Sequence, residues 1–185
     1  MMTELSLNIL DVAQNSIKAN ATLITIGIFA DTNKDRLDIT IEDNGSGMNK
    51  EQLSQVEDPF FTTRTTRKVG LGISFFKLAA ENTGGGFFID STEGKGTIVK
   101  ANFILSHIDR MPLGDITATM HTLIIYNMNI DFIYRYQVDE REFTLDTREL
   151  REILENVPFD VPEVSTYIKE YLMENKEDVD QKVIL

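Results

Sequence analysis

A chain of 185 residues, 42% hydrophobic and 26% charged, has the composition of a globular protein in water and is long enough to bury a core. Its formal net charge of −12 argues against the phosphate backbone of a nucleic acid, or an anionic membrane, as the main partner. With no cysteine it has no disulfide, no thiolate nucleophile and no cysteine-bound zinc.

The opening MMTELSLNILDVAQ places no basic stretch ahead of an apolar core, so no secretory leader is expected. No apolar run approaches the roughly 20 residues that cross a bilayer, and a cytoplasmic protein is expected. Residues 5–19 carry Ile9, Leu10, Ala13 and Ile17 at helical spacing, which predicts a first helix. Asn8, Asp11, Asn15 and Lys18 recur at intervals of three and four and form a polar stripe on its other side. Such a stripe is either a solvated face or an acid and an amide converging on a metal-bound phosphate. Magnesium takes hard oxygen ligands, which an Asn carbonyl supplies beside phosphates and waters. A carboxylate one turn away can orient or deprotonate a water.

TLITIGIFA and RLDITIED alternate as strands do, and the polar DTNKD between them predicts a hairpin. In the second strand Leu37, Ile39 and Ile41 make a buried face, and the next position on that face is Asp43. An Asp ahead of Asn-Gly can simply cap a turn. On an apolar face it can also await a ligand donor such as an adenine amino group, since burying it unpaired costs several kcal/mol or forces its protonation. Gly45 and Gly47 would then let the backbone approach a flat base.

Residues 44–69 hold no long periodic segment, and only a short helix around 49–56 is expected there. GLGISFFKLAAEN reads as a mostly buried helix, with Gly84 to Gly86 as its stop signal. Gly70-Leu71-Gly72 lies where the loop enters that helix, and free N–H groups at a helix N-terminus attract phosphate. Arg64, Arg67 and Lys68 would add charge there, although an ordinary basic loop has the same composition. GFFIDST and GTIVKANFIL flank EGKG as a second hairpin. Neither a Gly-x4-Gly-Lys-Ser/Thr loop nor the third glycine of a dinucleotide fingerprint is present, position 75 being Phe. Helices set against an antiparallel-rich sheet predict an α/β (α+β) two-layer sandwich.

Near LSHIDRMPLGD the composition changes, with Pro112 and Gly114 as punctuation. Residues 107–185 hold 8 Lys/Arg against 17 Asp/Glu. We therefore expect one domain over 1–106 and a small acidic α+β extension over 107–185. In the extension LGDITATMHTLIIYN reads as a helix, and IDFIYRYQV with EFTLD as a hairpin. DTRELREILENV reads as a helix capped around Asp146 and Thr147, and VPEVSTYIKEYLMEN as an amphipathic helix. KEDVDQKVIL is expected to fray. The extension either packs on the first domain or contacts a protein partner or a second copy, its acidity suiting a basic surface.

Four segments, in order, resemble the boxes of the GHKL superfamily of ATP-binding domains, which includes histidine-kinase catalytic domains, DNA gyrase B, Hsp90 and MutL. LDVAQNSIKANA resembles its N-box, EDNGSGM its G1 box, DPFFTTR its F-box and VGLGISFFKLAAENTGG its G2 box; GKGTIVKANF resembles the strand that follows. The likeness covers roughly residues 5–105 and is nearest to histidine kinases over 58–85. It implies a Bergerat-type ATP-binding fold that holds ATP or ADP with Mg2+. Asn15 would be the magnesium ligand, Asp43 the acceptor for the adenine amino group, and Lys18 a cation near phosphate. Gly45, Gly47 and Met48 would shape the adenine pocket, with Thr97 supporting it through its hydroxyl. Gly70, Leu71 and Gly72 would meet the phosphates, and Phe60, Arg64 and Lys68 would belong to a lid over 58–69.

Two departures bear on activity. The family's N-box acid is usually Glu, and here Asp11 stands one methylene shorter, so ATP binding is expected to survive while hydrolysis is left in question. A histidine kinase needs a phosphoacceptor histidine ahead of its catalytic domain. Here the N-box comes almost first, and His107 and His121 follow it, so a free-standing domain is expected. The readings that follow are an ATP-driven switch with slow or no hydrolysis, and a kinase that phosphorylates His or Ser on a separate chain as anti-sigma kinases do. A binding module without turnover is the third.

Overall fold

Strands with a period-two apolar pattern must bury one face, and in the computed structural model, which describes residues 3–56, 72–181 and 183–185, they do so in a single sheet. β1 (Leu23–Asp31) and β2 (Arg36–Asp43) pair antiparallel; β4 (Gly96–Ile104) lies antiparallel beside β2, and β3 (Gly86–Thr92) forms the edge. On the other side β5 (Asp131–Val138) runs parallel to β1, with β6 (Arg141–Asp146) as its hairpin partner. The order is β3-β4-β2-β1-β5-β6.

The helices are α1 (Leu5–Lys18), α2 (Lys50–Gln55), α3 (Gly72–Glu81), α4 (Ile116–Tyr126), α5 (Thr147–Ile153) and α6 (Pro162–Asp180). α1 packs between α3 and α4, and α4 packs on α6, so these four form one layer. Beneath them lie Ile24, Ile26, Ile28, Leu37, Ile39, Ile41, Val99 and Phe103, all buried against Leu5, Ile9, Val12 and Phe76. Alternate positions such as Arg36, Glu42, Lys100 and Arg135 are exposed on the opposite face of the sheet. This is the expected two-layer sandwich. Among the described residues no helix is long and apolar enough to cross a membrane.

The sheet and the core both run across position 107. Register pairs Ile24 with Phe132, Ile26 with Tyr134 and Ile28 with Tyr136, which sets two apolar faces side by side. β5 also satisfies the N–H and C=O groups that β1 would otherwise present as an open edge. The amides of Leu5 and Ser6 donate to the carbonyls of Pro112 and Leu113, tying the first helix to the same segment. Arg151 of α5 pairs with Asp131, donates to Met128 O at 2.8 Å and lies 5.2 Å from the Phe159 ring centroid.

The end of α6 differs from expectation. Residues 176–180, expected to fray, are helical because three anchors hold them: Val179 is buried, Arg141 Nε donates to its carbonyl at 2.7 Å, and the Tyr136 hydroxyl donates to Asp180 at 2.5 Å. Lys176 pairs with the same carboxylate. Burial, then the hydrogen bond to Asp180, pushes the Tyr136 phenol far above its ordinary range. Burial does the same to Tyr134, whose hydroxyl is enclosed and has no partner among the described residues.

Candidate functional site

Three neighbouring strands end their apolar faces in a polar side chain. In β2 the series Leu37, Ile39, Ile41 closes on Asp43, and in β4 Phe103, Ala101, Val99 leads back to Thr97. In β3 Phe87 and Ile89 lead to Ser91. Register sets Asp43 opposite Thr97 and Thr97 opposite Ser91, so the three form a polar row at one end of the sheet. The last turns of α1 pass beside it.

Asp43 is half-buried and gripped from two directions. Ser16 of α1, itself buried, donates its hydroxyl to Oδ2 at 2.6 Å, and the Gly45 amide donates to Oδ1 at 2.8 Å. The carboxylate therefore caps its own turn, as one reading had it, and is also tied to α1. Each of its oxygens accepts one hydrogen bond and has capacity for another.

The turn after Asp43 is held by its neighbours. Asn44 Oδ1 accepts from the amides of Thr22 and Leu23 at 2.8 and 2.9 Å, which fixes the turn to the start of β1. Gly47 sits at φ +63°, and a Cβ there would lie 2.0 Å from the Thr92 carbonyl oxygen, so only glycine fits. The Met48 amide donates to Ser91 Oγ at 2.8 Å; that hydroxyl also lies 2.8 Å from Thr97 Oγ1 and 3.0 Å from Gly96 O.

Along α1 the polar stripe divides. Asn15 and Lys18 are exposed, Asp11 is half-buried and Asn8 is fully buried. Among the described residues neither Oδ1 nor Nδ2 of Asn8 has a hydrogen-bond partner, so that end of the stripe is not the solvated face its spacing allows. Asp11 meets the start of α3: a Cβ on Gly72 would lie 2.9 Å from Asp11 Cβ and 3.1 Å from Oδ2. Two residues distant in sequence and both expected at the site thus touch. Phe60, Arg64, Arg67, Lys68, Gly70 and Leu71, with the expected lid over 58–69, lie outside the described residues. His107 Nδ1 accepts from the Asp109 amide, and His121 Nε2 lies 3.0 Å from both oxygens of Ser165.

Ser16 and Ser91 were not legible as site residues from their own chemistry. Pattern would have found both. Ser91 continues an alternating apolar face as Asp43 does, and Ser16 follows Leu5, Ile9 and Val12 along the buried side of α1.

The family model for histidine kinase-, DNA gyrase B-, and HSP90-like ATPases matches residues 2–107. Sensor histidine kinase ZraS of Salmonella typhimurium is 34% identical over 91 residues, 49% of this chain and 19% of that protein. Sporulation kinase E of Bacillus subtilis is 35% identical over 65 residues, 35% of this chain and 9% of that one. Sensor kinase CckA of Brucella abortus is 41% identical over 61 residues, 32% and 6% respectively. The matches thus span under a fifth of each of these relatives. Among solved structures, the N-terminal domain of a DNA repair protein aligns over 96% of this chain and 57% of that one, with a TM-score of 0.57 and 17% identity. The Aquifex aeolicus MutL ATPase domain complexed with ADP aligns over 84% and 70%, with a TM-score of 0.52 and 14% identity. At these identities the likeness to both is one of fold.

Proposed function

We propose, from the premise that this chain belongs to the histidine kinase-, DNA gyrase B-, and HSP90-like ATPase family, that the site around Asp43 binds ATP and that bound ATP acts as a switch with slow or no hydrolysis. The observation that carries the reading is Asp43, an acceptor braced by Ser16 and Gly45 at the end of an apolar face. An adenine amino group supplies the donor that its remaining lone pairs lack. Thr97 stands beside it in register and completes that end of the pocket.

Among the described residues no group of three or more His, Cys, Asp or Glu side chains can hold a metal by itself. The donor set fits magnesium that arrives on the triphosphate: the exposed Asn15 gives one amide oxygen, and phosphates and waters give the rest. Bound there, magnesium would neutralise phosphate charge, with the exposed Lys18 three residues further along α1 adding a second cation. Asp11 is the acid available to orient a water. It is one methylene shorter than the glutamate usual in the family and is backed by α3, which favours slow turnover. We assign the acidic residues 107–185 the readout of nucleotide state, through a protein partner or a second copy.

A second reading has its own support. Several similar proteins are sensor or sporulation kinases, which favours transfer of the γ-phosphate to a separate chain. One experiment separates the two: the protein with Mg2+ and γ-labelled ATP, alone and with cell extract, beside Asp43→Asn. Bound ATP with little released phosphate and no labelled protein supports the switch. Label on a protein of the extract, lost with Asp43→Asn, replaces it with the kinase. Failure of the wild-type protein to bind ATP by calorimetry overturns both.

A further inference from the structure

Three contacts converge on the Ser91 hydroxyl: the Met48 amide at 2.8 Å, the Gly96 carbonyl at 3.0 Å and Thr97 Oγ1 at 2.8 Å. A hydroxyl has one proton to give and two lone pairs to receive. The amide can only donate and the carbonyl can only accept. All three contacts are satisfied in a single arrangement: Ser91 gives its proton to Gly96 O and accepts from both Met48 N–H and Thr97 Oγ1–H. The Thr97 proton is thereby turned away from any ligand, and Thr97 has only lone pairs left to offer. Asp43, its partner in register, is an acceptor when ionised and already holds donors from Ser16 and Gly45.

We infer that Ser91 is a positioning residue that makes Thr97 an acceptor, and that the Asp43–Thr97 pair so arranged selects a purine whose 6-substituent donates. That group is the amino group of adenine. The 6-oxo group of guanine only accepts, and against this pair it would stand acceptor to acceptor, unpaired. Sites that discriminate by hydrogen bonding reject such a mismatch strongly, because the polar groups on both sides go unsatisfied. The inference rests on the ATP-binding reading and deepens it: the selectivity is set by a residue outside the acidic anchor.

The test is competition of ATP and of GTP against a fluorescent ATP analogue on the full chain, with the thermal midpoint of each variant recorded. In Ser91→Ala the Thr97 proton has lost its acceptor and turns toward the ligand, so the ATP-to-GTP affinity ratio is expected to fall at least tenfold. Ser91→Thr retains a hydroxyl and restores most of the ratio. Should Ser91→Ala not fold, Thr97→Val carries the test, because it deletes an acceptor for the adenine amino group that also opposes the guanine oxo group, and so lowers the ratio. A wild-type protein that binds ATP and GTP equally overturns the inference and leaves ATP binding standing. So does a folded Ser91→Ala with an unchanged ratio, or an unchanged ratio in Thr97→Val. A wild-type protein that binds no nucleotide removes the earlier reading and this one with it.

Discussion

Ser16→Ala tests whether the site is a braced acceptor or an incidental turn. The substitution removes a buried hydroxyl that donates to Asp43 at 2.6 Å. A hydrogen bond to a charged group contributes about 1.5–3 kcal/mol, and Ala in place of Ser within a helix returns about 0.5 kcal/mol. Asp43 is half-exposed, so water takes over part of the lost donor and the loss belongs at the low end. We expect about 1–1.5 kcal/mol, which at about 2–4 °C per kcal/mol for a chain of this size lowers the midpoint by about 2–6 °C. An unbraced carboxylate must also be ordered by the ligand, so ATP affinity should fall about five- to tenfold. The decisive assay is a double-mutant cycle of Ser16→Ala with Asp43→Ala, read by denaturation and by calorimetric titration with ATP. A coupling of about 1 kcal/mol supports the brace. Strict additivity, or a Ser16→Ala midpoint at or above wild type, would refute it.

Gly72→Ala puts a methyl group where Asp11 Cβ stands only 2.9 Å away, so α1 and α3 must part. Overpacking of this kind costs about 1–3 kcal/mol, and any phosphate release should fall with it; an unchanged denaturation midpoint would show that the two helices are not in contact there. Asn8→Leu replaces a buried amide, without a partner among the described residues, by an apolar side chain of similar size and should raise stability by about 1 kcal/mol, whereas a loss of that size would mean the amide has a partner. The raised Tyr134 and Tyr136 phenols give a pH dependence with a definite sign. Their folded values lie above the ordinary value of about 10, so their contribution is complete below that pH and is lost as pH rises beyond it, where only the unfolded chain ionises. The midpoint should therefore drop on the alkaline side. Tyr136→Phe should be less stable at neutral pH, through loss of its bond to Asp180, yet show a shallower alkaline fall. An alkaline limb as steep as wild type would count against the assignment.

Local periodicity made nearly every element legible, because a strand or helix declares its buried face in its own residues. Leu37, Ile39 and Ile41 specify β2 without reference to anything else. What no local pattern holds is adjacency. The apolar face of IDFIYRYQV says that β5 belongs to a sheet, but nothing in it says that its neighbour is β1, about a hundred residues earlier, or that the two run parallel. The composition shift near 107 points elsewhere for a physical reason. Charge is a property of surfaces, and the acids that make the shift are largely exposed on α5, α6 and their loops, while the core is continued by the inner face, where Phe132, Tyr134 and Tyr136 are as deeply buried as the isoleucines of β1. The same distinction governs the site. Asp43 was legible because a carboxylate ending an apolar face demands an explanation, and Asn15 and Thr97 followed from resemblance. Ser91 ends an equivalent face one strand beyond Thr97 and raised no question, since a serine at a strand end is common and its hydroxyl can bond to water. Its role becomes visible only when register sets three polar termini in one row and the protons among them are counted. A buried alternating face that closes on a polar residue is therefore worth reading even when that residue is neutral, and most of all when adjacent strands close the same way.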